Sequence, residues 1–293
     1  MKFRDRLWTS ISAATLIAAS GAVSGLAASP SDGVTQAAAH DKTGSFLVAS
    51  AGEGGERGEG GEGGEGGEGG EGGEGGVDPA LAAKDPALYL SALDIIRAHY
   101  LAGEAMLDVE GGRQAAGEMF AHPISEVYID LEPVFEAQGA APFMDEMTEA
   151  VDKALSDAPV ADVKAAAQRV YAAIDAAEKV APAGSKPALA VDAALAAGMF
   201  ERAAKQYESA LAPSGTDEAW IDGYGFWKVA EIRADALTLK LEAAHMDLAA
   251  ELAGAKALFA AAYRSPEKPE NPEVEPGALL AASSRIALKT GRL

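Results

Sequence analysis

The stretch DPALYLSALDIIRAHYLAGEAMLDVEGG, residues 85–112, decides the fold class. Asp85 before Pro86 is a helix start: the carboxylate accepts from first-turn N–H groups, and proline in that turn has no N–H to leave unsatisfied. Apolar residues then recur at three- and four-residue spacing, the signature of one face of a helix. The spacing predicts a helix from Pro86 to about Val109, stopped at Gly111-Gly112.

The same pattern continues to the C-terminal end. It predicts a short helix to about Phe120, a helix started by Pro123 and ended near Gly139, and others from Pro142 to Ser156, Asp162 to Val180 and Pro187 to Leu211. Asp217 to Tyr263 is helical in character but long, and Gly223, Gly225 and Gly254 are the expected bends or breaks. Four prolines between Pro266 and Pro276 exclude helix there, and a last helix, Ala278 to Thr290, docks back. No run alternates as a strand does. The expectation is an all-α, up-and-down antiparallel bundle or array of about seven or eight helices.

Upstream the character changes. Lys2, Arg4 and Arg6, an apolar run from Leu7 to about Ala22 and small residues near Ala27 have the three parts of a secretory signal, so residues 1–28 read as a signal peptide. The apolar run falls short of the roughly 20 residues that a bilayer span wants, so the mature chain has no expected membrane span. Residues 29–76 read as a disordered segment, and Glu recurs every third residue from Glu53 to Glu74 among glycines. That tract is a soluble spacer or a weak collector of hard cations. Residues 77–293 then form a single helical domain. Export implies a periplasmic location.

The formal charge is −21, of which −15 falls on residues 77–293. Such a field repels phosphate backbones, which argues against nucleic acid and favours cations or basic partners. The chain has no cysteine, which removes disulfides, thiolate metal sites and cysteine nucleophiles. No triad order, phosphate loop or dinucleotide fingerprint occurs in its required context, so no enzyme activity is expected.

Chemistry falls to a few residues. His99 lies on the apolar stripe of its helix with Ile95, Ile96, Gly103 and Met106, either as a core histidine bonded to a carbonyl or carboxylate, or as a ligand. His122, Glu126 and Asp130, four apart, stack as a ladder pointing away from the stripe of Ile124, Tyr128, Leu131 and Phe135. The ladder is a solvated face or a chelating pair. If the two helices pack side by side, His99, Glu104, Glu118, His122 and Glu126 converge into a mixed nitrogen and oxygen site suited to iron, zinc or manganese. Glu104 stands roughly 140° around the helix from His99, which works against its membership. Trp220, Tyr224 and Trp227 are spaced as one stripe of a helix, either as packing or as a ligand platform.

Residues 96–139 carry the pattern HPxxExYxxLxPxFxxxG at His122, Pro123, Glu126, Tyr128, Leu131, Pro133, Phe135 and Gly139. In this they resemble exported helical proteins of proteobacteria with a Gly-Glu-rich leader. YESALAPSGTDEAWIDGYGFWKVAEIRA, residues 207–234, looks like a second segment of that group, with Trp220 beside Asp222. It is similar in turn to the helical extracytoplasmic domain of iron permeases. The resemblance implies binding or delivery of iron or another divalent metal, with an envelope protein or metal transporter as partner. Ala193 to Leu211 also resembles part of a tetratricopeptide helix pair, which implies a non-catalytic interaction scaffold.

Overall fold

The computed structural model describes residues 76–293. The expected signal segment, nearly all of the 29–76 segment and His40 lie outside them. Every regular element among the described residues is helical. In chain order they are α1 (Pro79–Ala82), α2 (Pro86–Met106), α3 (Arg113–Pro123), a π-helical segment (Ile124–Tyr128), α4 (Ile129–Ala137), α5 (Met144–Ala154) and α6 (Val160–Glu178). There follow α7 (Ala188–Leu211), α8 (Asp217–Thr238), a 3-10 turn (Ala243–His245), α9 (Met246–Ala262) and α10 (Pro276–Thr290). None of these helices is long and apolar enough to cross a membrane.

Local chemistry sets most boundaries. The Asp85 side chain accepts from the Ala87 N–H at 2.8 Å with Pro86 in the first turn of α2, and Thr216 Oγ1 accepts from Ala219 N at the start of α8. The run ending in α4 closes with Gly139 at φ +93, where Gly139 N donates to Glu136 O and Ala140 N to Phe135 O, both at 2.9 Å. That pair of bonds satisfies the last carbonyls, and the left-handed residue between them favours glycine. The proline-rich stretch before α10 is irregular, as its prolines require, yet anchored: Trp220 Nε1 donates to Ser265 O at 3.1 Å and Tyr207 OH to Val274 O at 2.8 Å.

Helix α2 is the hub, touching α3, α6, α7 and α8. Pairings with α6 and α8 show that these two run opposite to it. On α6, Ala177 meets Tyr89 and Tyr171 meets Glu104; on α8, Arg233 meets Asp94 and Asp222 meets His99. Helices α7 and α8 are likewise antiparallel, with Asp192 at Lys240 and Tyr207 against Trp220.

Two expectations need correction. Pro123 does not begin a helix; it closes α3, and the helical path runs on through the π segment into α4. Nor do Gly223, Gly225 or Gly254 break a helix, since α8 passes through the first two and α9 through the third. Chain direction changes between Leu239 and His245 instead. The paired glycines are there for close approach. A Cβ on Gly225 would lie 2.3 Å from Ala98 O, and one on Gly223 would strike the Tyr263 hydroxyl.

Being buried on so many sides, α2 must satisfy its polar groups through partners. Asp94, fully buried, receives Arg233 Nε at 2.8 Å and Nη2 at 2.6 Å. Arg233 Nη2 also donates to Glu178 Oε1 at 2.6 Å, and Arg97 Nη2 reaches Glu178 at 3.1 Å and Asp175 at 2.9 Å. Burial opposes the charge on Arg233, but Asp94 and Glu178 outweigh it and hold its pKa above the ordinary value. Burial also raises the pKa of Asp94, against the pull of Arg233. The two-pronged geometry favours the ionised pair over a neutral one.

Removing one partner of a buried pair strands the other charge, so Arg233→Met is expected to destabilise the protein by about 3–5 kcal/mol. Urea denaturation reads this as a lowered midpoint, and the Asp94→Leu, Arg233→Met double variant recovers much of the loss.

Candidate metal centre

The site forms where α8 crosses α2. Because Gly225 lets the α8 backbone lie against Ala98 and Ala102, Asp222, one turn earlier, reaches the ring of His99. The Asp222 Oδ1 to His99 Nε2 distance is 3.5 Å, and both side chains are 1 % exposed.

His99 has a determined tautomer. Its Nδ1 lies 2.8 Å from Ile95 O, a carbonyl that only accepts, so the proton sits on Nδ1 and Nε2 carries the lone pair. Burial pushes its pKa down to about 4; the bond to Ile95 works the other way, and the charges of His122 and Arg202 depress it further. The imidazole is therefore neutral near pH 7. Its lone pair points toward carboxylate oxygens, with Glu126 Oε2 at 3.7 Å in addition to Asp222.

Glu126 reaches the site through the π segment. Pro123 has no N–H to close the preceding α-helical turn, and the chain widens by one residue, as the Ile129 N–H to Ile124 O bond shows. In an unbroken α-helix His122, Glu126 and Asp130 share one face. The wide turn re-phases them: Glu126 Oε2 is buried near His99, whereas Asp130 is exposed. Tyr128 stays in the core, its hydroxyl accepting from Phe143 N at 2.8 Å.

His122, in the last turn of α3, completes the group. Its ring stands edge-on to that of His99 with centroids 6.1 Å apart. Its Nδ1 is buried with no hydrogen-bond partner among the described residues, while Nε2 lies 3.5 Å from Glu218 Oε1. One nitrogen from each histidine and one oxygen of Asp222 all fall within 4.8 Å of one another. Bonds of about 2.1 Å place neighbouring ligand atoms about 3 to 3.5 Å apart, so the group must draw in slightly around an ion. His122 and Glu126, at 23 % and 33 % side-chain exposure, have the room to do so.

The structure thus brings His99, His122 and Glu126 together and adds Asp222, but leaves two expected ligands outside. Glu104 faces α6, accepting from Tyr171 OH at 2.9 Å and from Gln168 Nε2 at 3.5 Å; its angular distance from His99 on α2 explains this. Glu118 is exposed and bonded to Gln114 Nε2 at 2.8 Å. Trp220 packs against Tyr207 and Tyr263. The sequence reading did not place Asp222 among the metal ligands. The signal was its neighbourhood, since the glycines at 223 and 225 mark the face on which α8 meets another helix closely.

Comparison with protein-family models, with curated proteins and with solved structures finds no match for this chain. Fold and site define a class by themselves: a helical array with two imidazoles and two carboxylates gathered on its central helix crossing.

The crossing is testable by adding one methyl group. Gly225→Ala is expected to lower stability by about 1–3 kcal/mol through overpacking. Gly254→Ala, which meets nothing within 4 Å in the middle of α9, should raise it by about 0.5–1 kcal/mol. Urea midpoints of the two variants moving in the same direction would contradict this account.

Proposed function

We propose that the protein binds a divalent transition-metal ion, iron(II) first among them, through His99, His122, Glu126 and Asp222, and holds or hands on that ion in the cell envelope. One observation carries the reading. His99 Nε2 has Asp222 Oδ1 at 3.5 Å and Glu126 Oε2 at 3.7 Å, and one nitrogen of each histidine and one oxygen of Asp222 lie within 4.8 Å of one another. Imidazole nitrogens and carboxylate oxygens gathered this closely are the ligand types that hold a divalent transition-metal ion. Burial depresses the basicity of His99, so a proton competes weakly for its nitrogen.

The donor set also narrows the ion. Two imidazole nitrogens with carboxylate oxygens and no sulfur suit iron(II), zinc or manganese, and calcium prefers oxygen alone. The resemblance of residues 96–139 and 207–234 to exported helical proteins and iron-permease domains supports iron and supports export. The net charge of −15 on residues 77–293 would draw cations toward the domain. No reaction is assigned: the role is binding and delivery, with a metal transporter of the envelope as the natural recipient.

Calorimetric titration and metal analysis of the full chain, with iron(II) under anaerobic conditions and separately with zinc(II), test the proposal. One ion per chain is expected. His99→Gln and Asp222→Asn should each weaken binding at least about tenfold, whereas Glu104→Gln and Glu118→Gln leave it unchanged. At about a hundred times Kd the ion should stabilise the fold by about 2.7 kcal/mol. Binding no tighter than millimolar, or indifferent to His99 and Asp222, sinks the metal reading, and recovery of the chain only from cytoplasm sinks the export reading.

A further inference from the structure

The four ligand candidates leave one contact unexplained, that of His122 with Glu218. Glu218 sits in the first turn of α8, one turn before Asp222, and its side chain is 60 % exposed. Its Oε1 is 3.5 Å from His122 Nε2, a gap that a small rotation of an exposed carboxylate closes to a hydrogen bond. The other ring nitrogen, Nδ1, is the buried one. A neutral imidazole has one donor and one lone pair, so an acceptor at Nε2 leaves the lone pair on the buried Nδ1.

We infer that Glu218 is a positioning residue for His122: its carboxylate takes the Nε2–H and turns the Nδ1 lone pair toward His99 and Asp222. The inference rests on the metal reading of the site. It makes the two histidines complementary. His99 gives its Nδ1–H to the Ile95 carbonyl and would ligate through Nε2, while His122 would give its Nε2–H to Glu218 and ligate through Nδ1. A carboxylate behind an imidazole fixes the ring, selects the tautomer and raises the basicity of the ligating nitrogen. The same helix then supplies both Asp222 as ligand and Glu218 as support, so the pitch of α8 sets the spacing between them. The N-terminal turn of a helix is a favourable place for that negative charge.

Zinc(II) affinity of the full chain and proton NMR of the cobalt(II)-loaded chain test this. Glu218→Ala should weaken zinc(II) binding about 10–100-fold and abolish the exchangeable, cobalt-shifted signal of the His122 Nε2–H. Glu218→Gln, whose side-chain oxygen accepts the same bond, should restore that signal and most of the affinity. The melting temperature of the metal-free protein should be the same for all three, because Glu218 lies at the surface. Equal zinc(II) affinity for wild type and Glu218→Ala, or a Glu218→Gln variant as weak as Glu218→Ala, overturns the role of Glu218 while leaving the site intact. A wild type that binds neither metal overturns both readings together.

Discussion

The contact of α2 with α8 is the constraint on which the rest of the structure depends. Helix α2 is enclosed by α3, α6, α7 and α8, yet it carries two buried polar side chains, Asp94 and His99. Water cannot solvate either, and a buried polar group without a partner costs about 1–3 kcal/mol, more if charged. Asp94 takes its donors from α8, whereas His99 gives its Nδ1–H to Ile95 O of its own helix and is met by α8 at the other nitrogen. Arg233 reaches Asp94 and Asp222 reaches His99, and the reversed order of the pairs is the antiparallel direction expressed in chemistry. Gly225, between those two residues of α8, brings the backbones near enough for both contacts.

The two contacts differ in kind. At Asp94 a guanidinium supplies several N–H donors, and Glu178 and Asp175 extend the pairing to α6. Charge and hydrogen bonds balance within the protein, and the network acts as a three-helix clamp. At His99 the groups that meet are of the types that ligate metals: Nε2, Asp222 Oδ1 and Glu126 Oε2. One helix crossing therefore holds both an ion-pair network and the candidate site. The first explains why the helices stay together, and the same antiparallel contact positions the second.

Much of this architecture was legible in sequence because it depends on local rules. Asp85-Pro86 marked the start of α2, Gly139 the end of α4 and the clustered prolines the irregular stretch before α10, each through its own backbone chemistry. The failures share a cause as well. Pro123 reads as a helix start when the chain is considered alone, but packing keeps the path helical on both sides of it, and the missing N–H is absorbed as a π turn. Gly223 and Gly225 read as breaks because propensity penalises glycine, whereas the neighbouring helix rewards the absence of a side chain. In each case a tertiary contact overrode a local preference.

The fate of the acidic candidates follows from the same distinction. A helical wheel already set Glu104 far around α2 from His99, and it turns to Tyr171 on α6. Glu126 could not be placed that way, because the wheel assumes α-helical phase and the π segment changes it within the very ladder being read. Two of the four converging side chains, Glu126 and Asp222, thus owe their positions to features that local propensity counts as defects: a proline inside a helical path and glycines inside a helix. Both carry a cost in helix stability, about 3 kcal/mol for an interior proline and about 1 for a glycine. Features that expensive persist where they hold something in place, and here they hold two carboxylates against one buried imidazole.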